Sequence, residues 1–118
     1  SSIRTAGEPY RIVLRTAFYK LKTADNDLGF IEIGVVDAKG IPVQHADNTI
    51  SVSVEGVGTI AATDNGNPVG MDPFTSSQKK LFHGKLLAIV KTSGKLGQIT
   101  VRASSPGLKP STLVLNAY

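Results

Sequence analysis

A chain of 118 residues, 41% hydrophobic and 19% charged, is large enough to bury one core and too apolar to stay disordered. With no cysteine, it has neither a disulfide framework nor a thiolate metal site. Net charge is +4, but the thirteen Lys and Arg are scattered and aromatics are few, which argues against nucleic acid as a partner.

The chain opens at Ser1-Ser2-Ile3 without methionine, as a piece of a longer polypeptide would. Residues 1–10 read as a linker or extension and 11–118 as a single domain. No apolar run is long enough to span a membrane, and nothing resembles a signal peptide.

Period-two alternation dominates the domain. Ile31, Ile33 and Val35 alternate with Glu32 and Gly34, and Ile50, Val52 and Val54 with Ser51, Ser53 and Glu55. Ile99, Val101 and Ala103 alternate with Thr100 and Arg102, and Leu113, Leu115 and Ala117 with Thr112 and Asn116. Each run predicts a strand with one buried and one wet face. Strands are expected near 11–15, 17–22, 28–37, 49–55, 58–63, 85–92, 97–104 and 111–118. Turn signals separate them, among them Asp37-Ala38-Lys39-Gly40 and Glu55-Gly56-Val57-Gly58. Ser93-Gly94-Lys95-Leu96-Gly97 is expected to close a hairpin. No stretch carries a sustained helical period with caps. The fold expected is an all-β, immunoglobulin-like β-sandwich of about seven to eight strands.

Leu86-Leu87-Ala88-Ile89-Val90 lacks polar alternation, which predicts a central strand covered on both sides, one side facing the core and the other a neighbouring domain. The connection from Asp64 to Phe82 is long and irregular, and such loops are functional or tied down. Asp25-Asn26-Asp27 has the look of an acidic calcium loop but lacks the distal bidentate glutamate, so it reads as an acidic turn. No metal ligands and no cofactor are expected.

No catalytic residue can be named. General acid/base chemistry by two carboxyl groups needs the pair held close together around the bond they act on. Glu8, Glu32 and Glu55 each sit on a separate segment, and nothing pairs them. His45 belongs to an exposed connection. His83 reads as a hydrogen-bonded structural histidine pinning the loop. Surface charges read as solvated. Tyr10, Tyr19 and Phe74 are candidates for exposed aromatics that could stack on a sugar ring.

Three pieces together carry a resemblance. Thr63-Asp64-Asn65-Gly66-Asn67-Pro68 leads to Asp72-Pro73-Phe74, and then Phe82-His83-Gly84-Lys85 opens the apolar strand. Gly97-Gln98-Ile99-Thr100-Val101-Arg102-Ala103-Ser104-Ser105-Pro106-Gly107-Leu108 follows. Val35-Val36-Asp37-Ala38-Lys39-Gly40 and Ala46-Asp47-Asn48 extend the likeness upstream. This resembles the C-terminal immunoglobulin-like domain of glycoside hydrolase family 2 enzymes, the β-galactosidase-like group. That pattern has an "NGDP…PF" loop and a strand opened by Phe, then His or Asn, then Gly. Asn67 stands where Asp is common.

The resemblance implies a non-catalytic accessory domain of an enzyme that hydrolyses O-glycosidic bonds with retention, its catalytic glutamates lying in an upstream barrel. Its partners would be the preceding domains of that enzyme. The compartment, by analogy, is periplasmic or exported in a bacterium. Residues Asp64, Asn65, Asn67, Asp72, Phe74 and His83 are the candidates for ligand or domain contact. Two other readings stay open: a carbohydrate-binding module centred on the Asp64–Phe74 loop, and an adhesin-type immunoglobulin-like repeat.

Overall fold

The computed structural model describes residues 7–64 and 78–118. The strands are β1 (Arg11–Thr16), β2 (Lys20–Leu21), β3 (Leu28–Val36), β4 (Thr49–Gly56), β5 (Gly58–Asp64), β6 (Gln78–Lys80), β7 (Lys85–Thr92), β8 (Gly97–Ser104) and β9 (Ser111–Ala117). Among the described residues there is no α-helix, only one 3₁₀ turn at Thr23–Asp25. The strands form two sheets, a front sheet ordered β1-β3-β7-β5 and a back sheet ordered β2-β9-β8-β4-β6. The all-β sandwich expected from the alternation is therefore the fold.

The alternating apolar positions meet between the sheets. Ile31, Ile33 and Val35 of β3 share one core with Ile99, Val101 and Ala103 of β8 and with Ile50, Leu86, Ala88, Val90 and Leu115, all buried. Burying one such aliphatic side chain stabilises the fold by about 1.5–3 kcal/mol.

Several expectations change. The strand expected at 17–22 shrinks to Lys20–Leu21, which pairs parallel with β9. The chain leaves the front sheet after Thr16 and joins the back sheet at Lys20, and the corner between cannot hold a regular ladder. Ser93–Gly97 is not a hairpin, because β7 and β8 lie in different sheets. Its glycines, Gly94 and Gly97, carry the chain across the sandwich instead.

Strand β6 went unread because Gln78-Lys79-Lys80 shows no apolar alternation. It nonetheless pairs with β4, Lys79 lying opposite Ile50. That register points Lys79 inward, and it is buried rather than solvated. Its aliphatic stem lies among core residues while its ammonium donates to the Thr63 carbonyl at 3.4 Å.

The Asp25–Asp27 segment is a tight polar turn. Asn26 sits in the left-handed region with φ 53°, and the Asp27 carboxylate accepts the Lys22 N–H at 2.9 Å. Asp27 spends its carboxylate on its own backbone, as turn aspartates do.

Candidate functional site

The site is built on the apolar strand and the turn that feeds it. Phe82-His83-Gly84-Lys85 folds back on itself: the Phe82 and Lys85 N–H groups each donate to the other's carbonyl, both at 3.1 Å. The two residues between have positive φ, 52° at His83 and 76° at Gly84. Positive φ at both central positions is the signature of a type I′ turn, whose twist matches that of the strands it joins. Glycine is required at 84, since a Cβ there would collide with the Val43 carbonyl and the Gln44 backbone. Histidine and asparagine are among the few side chains that tolerate the left-handed region. That tolerance accounts physically for a position occupied by His or Asn.

His83 is thus held by its backbone rather than by a hydrogen bond from its imidazole. The side chain is exposed, and its ring leans on Phe82 with centroids 4.1 Å apart at 60°. This corrects the expectation of a hydrogen-bonded histidine.

From this turn β7 runs through the middle of the front sheet, between β3 and β5. Its inward residues Leu86, Ala88 and Val90 are buried, while Leu87 and Ile89 on the outer face are only partly covered. The pairings define that outer face row by row, since directly opposed residues point to the same side. One row reads Arg15, Glu32, Leu87, Asp64. The next reads Phe30, Ile89, Ala62. A third reads Leu28, Lys91, Thr59. Phe30 is 52% exposed and Leu28 46%. The face is therefore an apolar centre of Leu28, Phe30, Leu87, Ile89 and Ala62 rimmed by Arg15, Glu32, Asp64, Lys85 and Lys91.

Asp64 ends β5 opposite Leu87, at the same end of the sheet as the His83 turn. Those two candidates share one end of β7 without being brought into contact. Asn65, Asn67, Asp72 and Phe74 lie outside the described residues. Glu32 and Asp64 flank Leu87 from neighbouring strands, two strand spacings or about 10 Å apart. They stand on an open sheet with a leucine between them, and among the described residues no cleft is formed around the two. Among the described residues, no group of three His, Asp or Glu is placed to hold a metal ion.

A second polar centre lies where the chain comes in. Asp37 is buried and accepts three backbone N–H groups: Lys39 at 2.8 Å and Ile41 at 2.9 Å on one oxygen, Gly7 at 2.9 Å on the other. The Gly7 bond leads, with Ile41 and Lys39 behind it, in holding this carboxyl below the ordinary carboxylate range. The Tyr10 N–H donates to Val36 and the Tyr10 carbonyl accepts the Lys109 N–H, so the incoming segment is stitched to both sheets. Lys109 hydrogen-bonds the Tyr10 phenol, with its ammonium 5.1 Å from the ring centroid, and keeps the phenol pKa below its usual value. Arg11 adds a second cation 5.8 Å from the same ring. A shallow cleft of about 660 Å³ lies between Glu8–Tyr10 and Ala38–Ile41. The buried acid in it, Asp37, already accepts three backbone N–H groups.

Phe18, 75% exposed, and Phe30 escaped the sequence reading as surface aromatics. The signal for Phe30 was present: Leu28 and Phe30 fall on the outward phase of a strand whose inward phase is Ile31, Ile33 and Val35.

A profile described as glycoside hydrolase family 2 C-terminal domain 5 matches residues 12–114. The chain belongs to that family. It is 41% identical over 116 residues to "Beta-galactosidase BoGH2A" of Bacteroides ovatus, a match covering 98% of this chain and 14% of that protein. Among solved structures it resembles a glycosyl hydrolase family 2 member from Bacteroides cellulosilyticus, with TM-score 0.93, 28% identity, and coverage of 100% of this chain and 15% of that one. A β-glycosidase from Bacteroides vulgatus superposes with TM-score 0.92 at 27% identity, covering 96% of this chain and 15% of the other. The domain thus spans about one seventh of the proteins it matches and corresponds to an accessory part of them.

Proposed function

We propose that this domain is the non-catalytic C-terminal accessory domain of a β-galactosidase-like enzyme that hydrolyses O-glycosidic bonds with retention, its acid/base and nucleophile residing in preceding domains. The observation that carries this reading is the family match over residues 12–114, joined to a described surface that offers no cleft with paired carboxylates. The 41% identity to a β-galactosidase supports the substrate class. In this reading the domain stabilises its parent by packing against the preceding domains. Two features suit that role. The front sheet presents an incompletely covered apolar face, and the incoming chain is fastened by Asp37, Val36 and Lys109 rather than hanging free.

The test is the native polypeptide that carries this segment, detected in source cells with an antibody against the domain. A band several-fold heavier than 12.4 kDa that co-purifies with β-galactosidase activity is the expected result. A free band at the domain's own mass would overturn the proposal.

A further inference from the structure

The two outer faces of this sandwich differ in chemistry. On the back sheet the outward rows read Glu55, Thr100, Val114; then Ser53, Arg102, Thr112; then Ser51, Ser104. That is a hydroxyl-rich, charge-dotted surface with a single apolar side chain, and water satisfies it. The outward centre of the front sheet is Leu28, Phe30, Leu87, Ile89 and Ala62. Half-exposed aliphatic and aromatic residues standing together, with charges confined to the rim, have the composition of an interface centre.

Size decides what covers this patch. Its apolar rows run four residues along the strands, about 13 Å, and two strand spacings across, about 10 Å. With side-chain width that is a few hundred Å² at most, well below the roughly 800 Å² per partner of a standard free interface. A patch of that size holds an untethered partner or a second copy only weakly. It suffices for a partner on the same polypeptide, because tethering supplies an effective concentration in the millimolar range for short linkers. The matched relatives are about seven times this chain's length, so a covalent neighbour of ample size exists in them. The incoming segment is delivered beside the front sheet, where Gly7 is bound by Asp37 and Tyr10 by Val36 at the end of β3.

We infer that the outer face of the front sheet, centred on Phe30 and Ile89, is the surface by which this domain docks on a preceding domain of its own polypeptide. The surface it meets is apolar at its centre and carries charges opposite Arg15, Lys91 and Glu32 at its rim. Phe30 and Ile89 are the anchors. The back sheet faces solvent. This inference rests on the accessory-domain reading above and adds the face and the occupant.

Cysteine footprinting of the full-length polypeptide tests it, since this domain has no cysteine of its own. Phe30→Cys, Ile89→Cys and, as the back-sheet control, Thr100→Cys are introduced singly. Each is reacted with a maleimide under native conditions and in denaturant, and the tagged peptide is quantified by mass spectrometry. The expected result is native modification of Phe30→Cys and Ile89→Cys at least about ten-fold slower than of Thr100→Cys, with all three equal in denaturant. Equal native rates, or protection of Thr100→Cys instead, would overturn the inference. So would protection that disappears on dilution along with a dimer peak in gel filtration, which would make a second copy the occupant. Hydrolysis of a chromogenic β-galactoside by the same preparation is measured in parallel. Its absence would sink the accessory-domain reading whatever the footprint shows.

Discussion

Gly84→Ala is expected to be strongly destabilising, with a loss of about 3–5 kcal/mol of stability. Two effects add. At φ 76° a side chain meets the strain that only glycine escapes, and the new Cβ would be driven into the Val43 carbonyl and the Gln44 backbone. Neither obstacle is a flexible side-chain tip, so the backbone itself must move. Moving it opens the bond from the Gly84 N–H to the Ala46 carbonyl and misaligns the start of β7. Because β7 lies between β3 and β5, the error spreads to both neighbours. A domain of this size has only about 5–15 kcal/mol in hand. Urea denaturation of the variant checks the result. A midpoint within error of the parent's would show that the turn is not as tight as described. The neighbouring His83→Gly provides the contrast: it relieves a positive φ rather than creating one, and it should leave the midpoint unchanged or raise it.

Asp37→Ala has the second large effect, and its size depends on pH. The carboxylate satisfies three backbone N–H groups, two within its own turn and one on Gly7, thirty residues earlier in the chain. Alanine leaves Lys39 and Ile41 without that acceptor and releases the incoming segment. The expected outcome at neutral pH is a fall in unfolding temperature of roughly 10 °C, a size typical for losing a multiply bonded group from a small domain. The folded-state pKa lies below the ordinary value of 3.8, because the bound N–H groups favour the anion. A depressed folded pKa means that the stabilisation is fully present above the unfolded pKa and disappears as pH falls through the folded one. The gap between parent and Asp37→Ala should therefore be constant from neutrality down to about pH 5 and close progressively below about pH 4. Thermal unfolding of both proteins across that range measures it. A gap that stays open at pH 2 would assign the effect to packing instead of to the charge.

The sequence made the strands legible where one face is buried and the other wet, because alternation at period two has no competing explanation. Ile99, Val101 and Ala103 are all fully buried, as the pattern demands. It could not say which sheet a strand joins. Ser93–Gly97 has the composition of a hairpin and instead crosses between sheets, since glycines permit either path. Gln78-Lys79-Lys80 offers no apolar signal, and its inward lysine is visible only through the pairing with Ile50.

The candidate site was half legible. Leu87 and Ile89 stood out because they break the alternation of β7. Phe30 and Leu28 did not, because their significance comes from lying beside β7, a neighbour fixed by topology and not by local sequence. At His83 the structure shows a backbone feature, the left-handed turn that opens β7. Of the loop residues singled out with it, only Asp64 falls within the described part, where it forms the rim of the apolar face.

The most direct measurement is the activity of the full-length polypeptide with and without residues 7–118, assayed on a chromogenic β-galactoside. The account predicts kcat within about ten-fold of the intact enzyme and a lower unfolding temperature, since the domain packs but does no chemistry. A loss of about a thousand-fold or more in kcat, with the remaining domains still folded by circular dichroism, would contradict it by placing a group of this domain at the reacting centre.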